Sequence, residues 1–174
     1  MGSDAASGLR AGAGHVMRRP CAALLLWASL AMPGGAAASH TCLVSSLPVS
    51  FGVYDPLSAS ALNGTGQVSV TCTLLLGSSD SVAYSIQLSA GGAGTYSPRQ
   101  MSGVGSTLNY NLYRDASRTL VWGDGAGGTV TSADSYTLGV VPELRSYVVY
   151  GRIDSGQGAA AGVYADSVLV TLDF

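Results

Sequence analysis

The chain has 174 residues, of which 47% are hydrophobic and only 10% are charged, and its formal net charge is −2. It contains 24 glycines, nine tyrosines and no lysine. This balance excludes a basic surface for nucleic acid or for an anionic membrane. The length fits one domain, with or without a targeting segment.

The first part of the chain has the pattern of an export signal. An arginine pair precedes the apolar run 21–32, a Pro-Gly-Gly turn follows, and three alanines ending at Ala38 offer a small-residue cleavage site. We expect a secretory signal peptide, cleaved after Ala38, and no mature membrane span because the apolar run is too short. Two segments are therefore predicted: an N-terminal extension with the signal peptide over 1–38, and one domain over 39–174.

Two cysteines, Cys42 and Cys72, remain after the expected cleavage. In an exported chain such a pair is expected to form a disulfide. Closing a loop of about 31 residues would stabilise the fold by roughly 3–4 kcal/mol. Two free thiols are the alternative, and one cysteine pair cannot supply the four ligands of a structural zinc site.

Short alternating segments separated by Gly, Asp, Ser and Pro clusters fill the rest of the chain. This pattern predicts an all-β sandwich or barrel. We expect a first strand from Cys42 towards Tyr54, a turn at Asn63–Gly66, and a second strand in which Cys72 faces inward beside valines. Further strands are predicted near residues 82–88, 99–101 (a short edge strand), 108–113, 129–131, 136–141 and 147–153.

The C-terminal segment has the clearest strand pattern. One face carries Val168, Val170, Leu172 and Phe174. Period two with β-branched and aromatic residues predicts a strand with one buried face. An uncovered apolar edge is an aggregation hazard that proteins usually blunt. The strand is therefore expected either to pair only with earlier strands or to leave an edge for a strand from another chain.

Residues suited to catalysis are sparse. His40 is the one histidine of 39–174, so no Ser/His/Asp or Cys/His arrangement is predicted. Asp115, Asp124, Asp154 and Asp166 lie at predicted turns or strand starts, where Asp is a turn former. A cation site that Asp124 shares with Asp115 or Asp166 is the alternative, although no spacing matches a calcium loop. We predict no catalytic residue, no metal and no cofactor.

The aromatic residues allow two interpretations. Tyrosines can line a carbohydrate-binding surface, but more often they fill a core and place the hydroxyl at its rim. We expect Tyr110 and Trp122 in the core. Tyr96 and Tyr113 stay open as candidate contacts for a surface ligand.

Several stretches taken together resemble a known family. They are Cys42 with Pro48–Pro56, Gly66–Thr73, Leu108–Tyr113, Val121–Gly125, Val149–Ile153 and Gly162–Val168. In this order they resemble the spore coat protein U domain family, which includes subunits of archaic chaperone–usher pili. The resemblance covers nearly all of 39–174.

The resemblance implies an incomplete immunoglobulin-like sandwich that lacks its last strand, with an open groove beside the C-terminal strand. It also implies that a periplasmic chaperone lends a strand, which another pilus subunit replaces in the fibre, and that an outer-membrane usher is a further partner. This exchange is a form of β-strand addition. One wall of the groove would be formed by Val168, Val170, Leu172 and Phe174.

One feature departs from the family pattern. A fibre subunit is expected to carry an alternating apolar donor strand before its first cysteine, but cleavage after Ala38 leaves only Ser39–Thr41 ahead of Cys42. We therefore expect a non-enzymatic terminal or tip subunit of a surface fibre, exported through the periplasm and acting in adhesion or biofilm. The alternative is a self-contained spore-coat or carbohydrate-binding module.

Overall fold

The computed structural model describes residues 39–174, which form eight β-strands and no helix. The all-β prediction is therefore confirmed. In chain order the strands are β1 (His40–Ser50), β2 (Leu62–Leu74), β3 (Asp80–Leu88), β4 (Arg99–Ser102), β5 (Thr107–Tyr113), β6 (Ser132–Leu138), β7 (Glu143–Ile153) and β8 (Val170–Asp173).

The strands form two antiparallel sheets around one hydrophobic core. The larger sheet has the order β1-β2-β7-β5-β4, and the smaller has the order β6-β3-β8. Val70 from the larger sheet and Ile86 from the smaller are both fully buried. Burial of such a side chain contributes about 1.5–3 kcal/mol. Trp122 is also fully buried, as predicted, and its indole N–H donates a 2.9 Å hydrogen bond to the carbonyl of Ile86.

The disulfide lies between the first two strands. Cys42 and Cys72 are directly opposite each other in the antiparallel register of β1 and β2, and they are bonded. Cys72 is fully buried, as its alternation with the β2 valines predicts. The bond ties an edge strand to its neighbour at the core side of the sheet.

The predicted turn at Asn63–Gly66 is wrong, because these residues belong to β2 and pair with β7. The glycines there leave room for neighbouring side chains and do not form a turn. A Cβ on Gly66 would lie 2.8 Å from a methyl carbon of Val49, and a Cβ on Gly151 would lie 2.6 Å from the ring of Phe51. Glycine in a strand often marks such a close approach.

Two other boundaries differ from the sequence prediction. The first strand ends at Ser50 after a register shift that follows Leu47, so it does not reach Tyr54. A single strand, β6, replaces the pieces predicted at 129–131 and 136–141.

Candidate functional site

The C-terminal strand β8 lies at one end of the smaller sheet. It pairs only with the second half of β3, where Leu172 is opposite Ile86. Among the described strands none pairs with its outer edge, and the first half of β3 has no strand on that side either. Such an edge presents unpaired N–H and C=O groups that can take another strand.

Strand β1 lies at the end of the larger sheet and has a second uncovered edge. The register places Val44 opposite Val70 and Ser46 opposite Val68, so these two β1 side chains face the core. Val68 and Val70 are 2% and 0% exposed, but Val44 is 37% exposed and Ser46 is exposed as well. The inward face of β1 is therefore uncovered at Val44 and Ser46, although Cys42 and Val49 on the same strand pack against the core.

The two edges meet at one side of the sandwich. The His40 ring at the start of β1 lies 6.1 Å from the ring of Phe174, just beyond β8. His40 Nδ1 is also 2.6 Å from Asp80 Oδ2 at the start of β3, and the Ser39 hydroxyl donates to the same carboxylate. These hydrogen bonds from Ser39 and His40 lower the pKa of Asp80.

The four residues predicted to line a groove behave in two ways. Val168, Val170 and Leu172 are half-buried and pack against the core. Phe174 is 68% exposed, and its ring and that of Tyr84 pack edge to face at a centroid distance of 6.4 Å. Three apolar side chains thus face the core beside an unpaired edge, and a fourth lies at its open end.

A polar chain joins the two sheets next to Phe174. The hydroxyls of Tyr84 and Tyr147 lie 2.7 Å apart, and the Tyr147 hydroxyl donates a 2.6 Å hydrogen bond to Asp134. Because Tyr147 has one hydroxyl proton, Tyr84 is the donor between the two tyrosines. Burial and the bond to Asp134 raise the pKa of Tyr147 far above its ordinary value. No local sequence pattern indicates this set of hydrogen bonds, because its members come from β3, β6 and β7.

A second feature absent from the sequence predictions is the burial of Arg99. This side chain is 0% exposed, and its guanidinium donates to the carbonyls of Ser89 and Trp122 and to the side-chain oxygen of Asn111. Burial lowers its pKa. The only sequence signal was its alternation with Met101 in the short edge strand, which the structure contains as β4. From its place on β4, Arg99 thus connects the residue that follows β3, strand β5 and the loop before β6 inside the protein.

The two candidate ligand-contact tyrosines lie in different surroundings. Tyr113 is half-buried and lines a cleft of about 360 Å³ on β5. Tyr96 is outside the lining of that cleft, and its ring lies over Arg99 with 5.0 Å between the guanidinium carbon and the ring centroid. Tyr110 is buried, as predicted, and its hydroxyl donates to Asp166 at 2.7 Å.

The aspartates considered for a cation site serve local structure instead. Asp115 accepts from the backbone of Thr119 and Leu120, Asp124 accepts from the backbone of Ala126, and Asp166 accepts from Tyr110 and from a backbone amide. Among residues 39–174 no group of three or more His, Cys, Asp or Glu side chains is arranged to hold a metal ion. The same part of the chain has no helix that is long and apolar enough to span a membrane.

Comparison with solved structures finds a chain of a complex described as the CsuC–CsuE chaperone–tip adhesion subunit pre-assembly complex from archaic chaperone–usher Csu pili of Acinetobacter baumannii. The TM-score is 0.49 and the sequence identity is 20%, over 78% of this chain and 40% of that one. The protein described here therefore spans less than half of that chain's length.

Comparison with curated proteins finds Protein U of Myxococcus xanthus, which is 33% identical over 133 residues, or 72% of this chain and 71% of the relative. The model of the Spore Coat Protein U domain family matches residues 27–171. That match extends from before β1 to within β8, so it includes β1 to β7 and the first half of β8. The protein belongs to the Spore Coat Protein U domain family.

Proposed function

We propose that this protein is a non-enzymatic structural subunit of a secreted surface fibre of the archaic chaperone–usher type. In this proposal the domain 39–174 is an immunoglobulin-like sandwich that lacks one strand, and residues 1–38 direct export and are removed. A strand from another chain completes the fold between β1 and β8. The single observation that carries the proposal is that the inward face of β1, at Val44 and Ser46, is uncovered beside an unpaired β8.

The geometry supports strand addition over a closed sandwich. An incoming strand can hydrogen-bond to the free backbone edge of β8, while its alternate side chains cover Val44 on one side and the half-buried Val170 and Leu172 on the other. Because both edges lie on the side of the sandwich where His40 meets Phe174, one strand is able to serve both.

The partners follow from family membership together with this open side. We propose a periplasmic chaperone as the first strand donor, an outer-membrane usher at assembly, and a neighbouring pilus subunit as the final donor. The fibre is displayed at the cell surface, where it acts in adhesion or biofilm.

We further propose a terminal or tip position in the fibre. With cleavage after Ala38, the three residues ahead of Cys42 are too few to act as a donor strand. N-terminal sequencing of the exported protein tests the cleavage site. A peptide of residues 39–52 added to a shaft subunit with an open groove tests donation, and tight strand replacement would contradict the terminal position.

The proposal is tested by purifying the tagged, signal-bearing protein from its own host and identifying what accompanies it by mass spectrometry. We expect a stoichiometric immunoglobulin-like chaperone. Val44→Asp places a charge on the uncovered inward face and should abolish this association. Leu43→Asp is the matched control, because Leu43 is the adjacent β1 residue on the outward face and is 72% exposed.

The outcomes are distinct. Loss of the chaperone from Val44→Asp alone supports the groove between β1 and β8. A monomeric, heat-stable protein that elutes without a partner overturns the proposal and favours the self-contained module, because an uncovered sandwich should be marginally stable. Equal effects of the two substitutions would also contradict a groove at the inward face.

A further inference from the structure

The cleft that contains Tyr113 is separate from the open side of the sandwich. Its walls come from Pro98 before β4, from Asn109 and Tyr113 on β5, and from Asp154 and Gln157 after β7. None of its lining residues belongs to β1, β3 or β8, and β2 and β7 lie between β5 and β1 in the larger sheet. A ligand in the cleft and a strand added beside β8 therefore occupy different parts of the molecule.

The wall formed by the 154–157 loop is held in place by Gln157. Its side chain accepts a 2.8 Å hydrogen bond from the backbone N–H of Asn109 and donates a 2.8 Å hydrogen bond to the backbone carbonyl of the same residue. The backbone N–H of Gln157 donates to the hydroxyl of Tyr54 at 2.8 Å. The loop is thus fixed to β5 in the way that a short strand would be. A cleft that is formed before binding avoids the entropy of ordering its walls.

Several polar groups in the cleft have no partner among residues 39–174. The Tyr113 hydroxyl makes no hydrogen bond within these residues, and the side-chain N–H groups of Asn109 make none either, although the Asn109 side-chain oxygen accepts from Gln100 at 2.9 Å. One carboxylate oxygen of Asp154 lies 2.8 Å from Arg152 Nε and forms an ion pair with it, although their geometry is not that of a hydrogen bond. The second carboxylate oxygen of Asp154 is therefore available to accept a hydrogen bond from a ligand. Burial, followed by the nearby Asp154 charge, raises the pKa of Tyr113, so its hydroxyl stays a donor at neutral pH.

The charges around the cleft indicate a neutral ligand. The lining residues include no lysine or arginine. Asp154 is the one acidic side chain of the lining, and Arg152 pairs with one of its oxygens at 2.8 Å. The lining therefore has no basic group for a phosphate, and its one acid is already paired with a cation.

The remaining surfaces of the cleft combine apolar and polar contact. The Tyr113 ring and the Pro98 ring offer apolar surface, and beside them stand amide, hydroxyl and carboxylate groups. A pyranose ring likewise combines apolar and polar surface, because it has apolar C–H faces and a rim of hydroxyl groups. Each hydroxyl both donates and accepts, which matches a lining that holds donors on Asn109 and Tyr113 and an acceptor on Asp154.

We propose that this cleft is a binding site for a neutral pyranose oligosaccharide. The Tyr113 ring and Pro98 contact the sugar face, and the Tyr113 hydroxyl, the Asn109 amide and the Asp154 carboxylate hydrogen-bond to its hydroxyl groups. The site does not depend on the fibre function proposed above, because none of its walls belongs to β1 or β8.

The test uses the full exported chain, purified together with any partner that accompanies it. Four neutral hexamers (cellohexaose, maltohexaose, chitohexaose and mannohexaose) are titrated to millimolar concentration and followed by protein NMR. A glucosamine hexamer and a galacturonic acid hexamer provide the cationic and anionic comparisons. We expect at least one neutral hexamer to bind in preference to both charged ones.

Variants locate the site. Tyr113→Phe removes the hydroxyl and should weaken binding roughly threefold to tenfold, and Tyr113→Ala should weaken it more than tenfold. Tyr96→Phe is the matched control, since it removes a tyrosine hydroxyl outside the cleft lining and should leave binding unchanged. Far-UV circular dichroism of each variant confirms that the fold is kept.

Each outcome decides the proposal. Binding of a neutral hexamer that is lost in Tyr113→Ala and kept in Tyr96→Phe supports it. It is overturned if none of the neutral hexamers binds, if a charged hexamer binds best, or if both tyrosine sites respond equally.

Discussion

The Tyr84 hydroxyl donates a hydrogen bond to the Tyr147 hydroxyl across the sandwich, and the oxygens lie 2.7 Å apart. Tyr84 is on β3 of the smaller sheet and Tyr147 is on β7 of the larger sheet. Tyr147 in turn donates to Asp134 on β6. The three side chains form a polar link between the sheets beside the exposed Phe174 ring.

This arrangement predicts an unequal response of the two tyrosines to loss of their hydroxyl groups. Tyr147→Phe removes the donor to Asp134 and the acceptor of Tyr84, so it should lower the free energy of unfolding by about 1–3 kcal/mol. Tyr84→Phe removes only one donor and should cost about 0.5–1.5 kcal/mol. Urea unfolding of the purified protein measures both values. Equal costs would mean that the link to Asp134 contributes nothing.

Arg99 should tolerate no substitution, including the one that keeps its charge. Lysine cannot reproduce the planar fork that reaches Ser89, Trp122 and Asn111, so Arg99→Lys should lower the free energy of unfolding by about 2 kcal/mol or more. Arg114→Lys is the control, because Arg114 is exposed and makes one long hydrogen bond to a carbonyl. That change should stay within about 0.5 kcal/mol. Denaturant unfolding tests the pair, and similar values for the two would contradict a structural role for the Arg99 fork.

Gly66 should be required for its lack of a side chain. A Cβ there would lie 2.7 Å from the backbone oxygen of Leu47 and 2.8 Å from Val49, so Gly66→Ala should cost about 1–3 kcal/mol through displacement of β1. Gly158→Ala is the matched control, since a Cβ at Gly158 meets no atom within 4 Å. Thermal unfolding of both variants gives the comparison. A Gly66→Ala protein as stable as the control would show that β1 shifts at no cost.

The contact between β1 and β3 should depend on pH through Asp80. Hydrogen bonds from Ser39 and His40 lower the pKa of Asp80 below its ordinary value of 3.8. A carboxyl with a lower pKa in the folded state contributes stability above its unfolded pKa, and this contribution is lost as the pH falls through the folded pKa. Asp80→Asn should therefore be less stable than the natural protein at neutral pH, and the difference should shrink below about pH 3.

Unfolding measured at both pH values checks this prediction. Ser39→Ala keeps the carboxyl and removes the hydrogen bond with the largest effect on it, so the pH-dependent difference should decrease but persist. A difference between the natural protein and Asp80→Asn that is the same at both pH values would show that the carboxylate charge plays no part in holding β1.

Local alternation was sufficient to predict much of the fold. The strands at β3, β5 and β7, the inward orientation of Cys72 and the burial of Trp122 all followed from period two and residue type. The disulfide followed from two cysteines in a chain that is predicted to be exported. These features depend on near neighbours in sequence, where the pleat of a strand sets which side chains share a face.

Tertiary structure decided the environment of Asn63–Gly66 and of Arg99. Asn63–Gly66 has the composition of a turn, but its β7 partners and the Val49 and Phe51 side chains make it the middle of a sheet. Arg99 has the composition of a surface residue, but carbonyls from other parts of the chain satisfy it inside the core.

The two candidate sites were also predicted in part from the sequence and decided in part by tertiary structure. The sequence alone predicted the apolar face of Val168, Val170 and Leu172, and it indicated Tyr113 as a candidate contact for a ligand. Strand order determines that β1 is uncovered on its inward face. It also determines that residues near 98, 109–113 and 154–157 form one cleft. Strand order brings together residues that are far apart in the chain, so it cannot be predicted from a local pattern of side chains.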